Sequence, residues 1–247
     1  MREMQKLCIM QSRMSYPAIR RNELIPMNHP DPRRRYILAA AQLIKELGEE
    51  NVSARKIAAV LGTAPSAIYR HFQTLDELMA YAAISYRYDT YAEMDRIAVD
   101  ASNAFEMYEK TEREFARFAF ARPKLLDCLV FGAYSQNMSE LMANYRTIFP
   151  EAVDEKKLYS AAVLNGQDFE KGNMRLLQMC RDDGSLQADD ATAHALNGVL
   201  VHMFKGFLKT ALDHPEMEVE TLVSRYMNCF TFVLQPYARK NTNYIQQ

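Results

Sequence analysis

Residues 53–78, SARKIAAVLGTAPSAIYRHFQTLDEL, leave the chain few ways to fold. Ser53 can cap a helix in which Ile57, Ala58 and Leu61 recur at helical spacing and face one side. Gly62 follows, the residue type that most readily takes the left-handed conformation ending a helix. Pro65 suits the first position of a new helix, because its missing N–H would have no intrahelical partner there. From roughly Ala64 to Phe72 the spacing predicts a further short helix, with Ile68 and Phe72 four apart on its inner face. Thr74 caps the next helix, and Glu77 completes a capping box. Two short helices joined by a tight turn that begins with Gly make a helix-turn-helix.

The flanking sequence continues in helical register. Before this stretch, Ile37, Ala40, Ala41, Ile44 and Leu47 recur at three- and four-residue steps, with Pro32 in the first turn and Gly48 as the stop. After it, periodic runs fall near 75–96, 102–120, 123–133, 138–148, 154–182, 189–213 and 216–235, broken at Pro123, Pro150, Asp182–Ser185 and Pro215. No segment alternates like a strand. Only 8 Gly against 15 Met and 14 Tyr point the same way, so the expected fold is all-α. It divides into a basic extension (1–31), a three-helix DNA-binding domain (32–78) and a larger helical domain (79–247). The extension carries Pro17, Pro26 and Pro30 without a period, and Met27 would also begin a compact chain. A frayed terminus is its simpler reading; a basic arm along the DNA backbone or minor groove is the other.

Charge supports the division. Residues 1–76 hold 12 Lys and Arg against 7 Asp and Glu, a net +5, whereas residues 77–247 hold 18 against 24, a net −6. A basic front suits a polyanion. Cys8, Cys128, Cys180 and Cys229 form no paired motif, so reduced thiols in the cytoplasm are expected. Neither a secretion signal nor an apolar run of about 18 residues is present, and no membrane span is expected. The histidines (29, 71, 194, 202, 214) form no HExxH, and His194 and His202 stand too far apart on one helix for a single metal. GxGxxG, GxSxG and Walker motifs are missing as well. The expectation is therefore no enzyme, no cofactor and no metal.

In a helix-turn-helix the second helix enters the major groove of double-stranded DNA. Thr63, Pro65, Ser66, Ala67, Tyr69, Arg70 and His71 would face outward there. Arg70 can grip a phosphate or a guanine edge, Ala67 can meet a thymine methyl, and Tyr69 and His71 can donate to phosphates. Ser53 and Arg55, at the start of the preceding helix, also reach a phosphate. Across Arg33–Leu78 the chain resembles the DNA-binding domain of the TetR family of one-component repressors. The resemblance rests on Ala39-Ala40-Ala41, Gly48, Ser53, Ile57-Ala58, Gly62, Ile68-Tyr69-Arg70-His71-Phe72 and Asp76-Glu77-Leu78. Thr63-Ala64 stands where the family carries Val-Ser, and Leu75 where relatives carry a phosphate-touching Lys. The resemblance thus implies one hydroxyl cap and one cation fewer.

It also implies that the acidic domain dimerises and senses a small molecule. For a homodimer, Ala191, Ala195, Gly198 and His202 line one helix, and Leu222, Tyr226, Cys229, Phe230 and Val233 stand in register on the next. Two such helices per subunit would form a four-helix interface, and one reader alone buries too little DNA for useful specificity. Met and aromatic positions supply the expected effector cavity: Tyr86, Phe105, Phe118, Phe131, Tyr134, Met174, Leu177, Met179 and Phe204. Asn165, Asp168 and His202 are polar positions that would orient a ligand. The same residues equally make ordinary core. The expected function is a repressor that binds a palindromic operator as a homodimer and is released by a small apolar or amphipathic molecule. A helical adaptor that does not bind DNA is the alternative, and the basic front with its Tyr-Arg-His face argues against it.

Overall fold

In a computed structural model the structure describes residues 31–130, 137–150, 159 and 169–239. The extension 1–30 and the expected ligand residues Phe131, Tyr134, Asn165 and Asp168 lie outside them. The described residues form nine α-helices: α1 (Arg33–Leu47), α2 (Ala54–Leu61), α3 (Leu75–Val99), α4 (Ala104–Ala121), α5 (Pro123–Val130), α6 (Met138–Ile148), α7 (Phe169–Asp182), α8 (Asp190–Asp213) and α9 (Val219–Leu234). Short 3₁₀ segments occupy Glu49–Asn51, Pro65–Arg70 and Gln235–Tyr237. Among the described residues the only strand-like pairing is an isolated bridge between Leu186 and Ala238. The all-α expectation holds.

Local chemistry explains where the first elements begin and end. Ahead of α1, the Asp31 carboxylate accepts from the Arg33 N–H at 2.9 Å, so Pro32 precedes the helix rather than entering it. Ser53 Oγ accepts from the Lys56 N–H at 3.3 Å and caps α2. Gly62, at φ 64°, closes α2 in a Schellman arrangement: Thr63 N–H reaches Ala58 O at 2.9 Å while Gly62 N–H reaches Ala59 O. Thr74 Oγ1 caps α3 by accepting from Glu77 N–H at 3.1 Å. The reciprocal half of that capping box is displaced, since the Glu77 carboxylate accepts from Gln73 N–H at 2.6 Å, one residue before the cap.

Two expectations need correction here. The helix anticipated over Ala64–Phe72 is a 3₁₀ segment of six residues. Ala64 offers no side-chain oxygen to the free N–H groups of the first turn, and the Ala67 N–H bonds the Ala64 carbonyl at 2.9 Å, an i→i+3 closure. In α1 the inward face is Tyr36, Ile37, Ala39, Ala40, Leu43 and Ile44, whereas Leu47 is 43% exposed.

α1 packs on α2 and α3, and α2 on the 3₁₀ segment, which gives the trihelical reader. α3 continues for 25 residues, past the division expected at residue 78, and also packs on α4, α5 and α6. Apolar burial is continuous from Tyr36 in α1 to Leu234 in α9. Two arginines reinforce the junction. Arg34 donates to Ile148 O at 3.3 Å and lies over the Phe149 ring, while Arg122 donates to Ile44 O at 3.3 Å and lies over the Tyr86 ring.

Candidate nucleic-acid interface and effector domain

Ile68 and Phe72 are buried beneath the 3₁₀ segment, with Ile57 and Ala58 of α2 alongside. That seat turns Pro65, Ser66, Tyr69 and Arg70 outward and leaves Thr63, Ala67 and His71 half-buried. Tyr69 is 51% exposed. The His71 ring stands 5.6 Å from the Tyr36 ring, which positions it at the end of the segment. Ser53 is half-buried with its hydroxyl engaged in the α2 cap, and Arg55 is exposed on the first turn of that helix. Arg55 and Arg70 carry no carboxylate partner. Thr63 Oγ1 is buried with no hydrogen-bond partner among the described residues. The surface therefore collects hydroxyls, an imidazole and unpaired guanidinium groups on a short rigid turn, donors suited to phosphate oxygens. Leu75, in the position of the family's lysine, is packed against the core and supplies apolar contact instead.

The expected effector residues are not brought together. Tyr86 and Phe118 stack at 5.5 Å, under the Arg122 guanidinium. Phe105 sits at the start of α4 with its N–H on Ser185 Oγ, and Met174 is half-buried on α7. Leu177 and Phe204 are core residues. His202 is exposed and its Nδ1 lies 2.8 Å from Gly198 O, so it faces away from the interior. An open groove of about 480 Å³ lies elsewhere, between Ala98, Ala101, Asn103, Ala104, Met107, Met179, Asp182 and Asp183. Of the expected residues only Met179 lines it.

A buried polar set crosses the helical domain, and the sequence reading missed it. Tyr108 donates to Asn173 Oδ1 at 2.5 Å, Asn173 to Asn197 Oδ1 at 2.8 Å, and Asn197 to Glu170 O at 3.1 Å. Beside them the Tyr226 hydroxyl donates to Glu112 Oε1 at 2.5 Å. Loss of water pushes the Glu112 carboxyl up to about 7, against the opposing pull of the Tyr226 hydroxyl. One signal was available: each polar residue interrupts an inward stripe, as Glu112 does between Tyr108 and Phe115.

The exposed faces of α8 and α9 also differ from expectation. On α8, Ala195 and His202 are exposed, Val199 is 50% exposed, and a Cβ added at Gly198 or Gly206 would meet nothing within 4 Å. On α9, Leu222, Tyr226 and Phe230 are buried within the chain, so they cannot form an outer seam; Cys229 is exposed and Val233 half-buried. The outward stripe of α9 is Arg225, Cys229 and Phe232, the last 79% exposed. Core closure against α4 claimed the inner stripe, as the Tyr226–Glu112 bond and the Phe120–Tyr226 ring pair illustrate.

Comparison with known proteins agrees with this architecture. Residues 37–82 match the model of bacterial regulatory proteins of the tetR family. The structure of RolR in complex with resorcinol aligns with a TM-score of 0.52 at 13% identity, over 80% of this chain and 86% of that one. That of Thermus thermophilus FadR, a TetR-family transcriptional repressor in complex with lauroyl-CoA, aligns with a TM-score of 0.51 at 14% identity, over 87% of this chain and 100% of that one. No curated protein matches the sequence. Among the described residues no helix is long and apolar enough to cross a membrane.

Proposed function

We propose, from the premise that this chain is a transcriptional regulator of the tetR family of bacterial regulatory proteins, that it works as a cytoplasmic homodimeric repressor. It binds a palindromic operator and is released by a small apolar or amphipathic molecule. The observation that carries the DNA-binding reading is the 3₁₀ segment, seated by Ile68 and Phe72, with Tyr69 and Arg70 outward beside Arg55. Support for a two-fold partner comes from Val199 and Phe232, large apolar side chains exposed on α8 and α9, with open space at Gly198 and Gly206. Resorcinol in RolR and lauroyl-CoA in FadR support an effector with both polar and apolar parts.

As a dimer the two readers would stand about 34–36 Å apart to enter successive major grooves. An effector that prefers another spacing releases DNA by its difference in affinity for the two states, and no further. Because α3 belongs to both domains, and Arg34 and Arg122 bridge them, a shift of α3 moves the reader as a body. The test is selection of bound sequences from random duplexes, followed by a salt series and a screen for molecules that release the selected site. A palindromic selected site and affinity that collapses as salt rises are expected. Absence of binding to any duplex at low salt rejects the reading.

A further inference from the structure

We propose that Arg35 of α1 is an additional DNA-phosphate contact beside the reader, an inference that rests on the DNA-binding reading above. Successive helical residues are turned by about 100° around the axis, so Arg33, Arg34 and Arg35 cannot serve one partner. Arg33 Nη2 pairs with Asp31 Oδ2 at 2.7 Å. Arg34 turns to the second domain, donating to Ile148 O and covering the Phe149 ring. Arg35 has no carboxylate partner among the described residues. Its guanidinium lies 5.1 Å from the centroid of the Tyr36 ring, and Nη2 makes one long hydrogen bond, 3.3 Å, to Tyr36 Oη. Its Nε is buried with no hydrogen-bond partner among the described residues. A guanidinium offers five donors, so most of its capacity is unspent, and a buried donor left unpaired is costly.

Tyr36 connects this group to the reader. The same ring stands 5.6 Å from the His71 ring. Together the two separations, 5.1 and 5.6 Å, hold the Arg35 guanidinium within 10.7 Å of the His71 ring. A DNA strand advances about 3.4 Å per nucleotide, so a duplex lying on His71 brings neighbouring phosphates to Arg35. A phosphodiester matches the guanidinium fork in charge and in two-point geometry, and it carries no sequence information. Arg35 thus adds grip without adding selectivity, on the side of a reader whose Leu75 has left it one cation short.

The experiment measures binding of the full-length protein to a random duplex and to its selected duplex by fluorescence anisotropy, across a salt series. Arg35→Gln is expected to reduce the slope of log K against log salt by about 0.9, the value for one phosphate contact. It should weaken both duplexes alike, and Arg35→Lys, which keeps the charge, should restore the slope. An unchanged slope in Arg35→Gln, a loss confined to the selected duplex, or a Lys variant that behaves like the Gln variant overturns the proposal. So does a Gln variant that no longer melts cooperatively, since Arg35 would then be a structural brace for Tyr36. A parent protein that binds no duplex is a different result and removes the DNA-binding reading itself.

Discussion

Tyr69 offers half its surface to solvent at a point where neither packing nor an internal hydrogen bond accounts for its hydroxyl. If that hydroxyl donates to a phosphate, Tyr69→Phe removes one charge-assisted hydrogen bond, about 1 kcal/mol or more, and weakens binding roughly five-fold. The loss should be equal on selected and random duplexes; normal binding by the variant would dismiss the clamp. Glu112 makes the opposite case, a charged group withdrawn from water. Its folded carboxyl titrates at about 7, above the 4.5 of an exposed one, so the native state holds the proton more tightly. Between those values the unfolded chain releases the proton while the native one keeps it, so stability falls as pH rises, by on the order of 3 kcal/mol in all. Glu112→Gln retains a partner for Tyr226 and removes the titration. Its melting temperature should therefore vary less than the parent's between pH 5 and 8. An unaltered pH dependence would show that the carboxyl ionises normally. Tyr69 was legible from the chain because its role is set by its neighbours in the motif. Glu112 was not, since its only hydrogen-bond partner lies 114 residues away.

Among the elements, the reader shows how two adjacent residues set local stability. Gly62 occupies φ 64° with nothing within 4 Å of where a Cβ would sit, so Gly62→Ala meets no clash and costs only the left-handed backbone, about 1–2 kcal/mol. Ala64 already has the extended backbone of a cap, φ −78° and ψ 144°, but no oxygen to offer. Ala64→Ser should supply it and raise stability by roughly 1 kcal/mol, read as a higher urea midpoint at unchanged slope. A midpoint equal to or below the parent's would mean that the i→i+3 closure already satisfies the turn. The positions of α2, the short segment and α3 were readable because caps and stops act within a few residues. That the segment tightens to a 3₁₀ form was not, since it follows from a missing oxygen rather than a present signal.

For the whole molecule, the outward stripes of α8 and α9 decide how many copies act together. Phe232→Lys with Val199→Lys places charge in the proposed seam while leaving the buried Leu222, Tyr226 and Phe230 untouched. Sedimentation should show a monomer with an unchanged helical spectrum, and affinity for the palindromic site should fall steeply. A variant that sediments like the parent would move the seam elsewhere. Folding within one chain came first here. α9 spends its most apolar stripe on α4, and what remains outside, Cys229 and Phe232 with Val199 of α8, is the part left for a partner.

Whatever depended on forces between near neighbours could be read directly from the chain: the helical class, the Ser53, Gly62 and Thr74 boundaries, and the seating of Ile68 and Phe72 under Tyr69 and Arg70. Whatever depended on which distant surface arrives to cover a side chain could not. Helical periodicity states that α9 has an apolar stripe, but not whether its own core or a second copy takes it. It also marks Glu112, Asn173 and Asn197 as polar without saying that other helices will close over them. Burial is a property of the assembled elements, and there the folded structure alone made the choice.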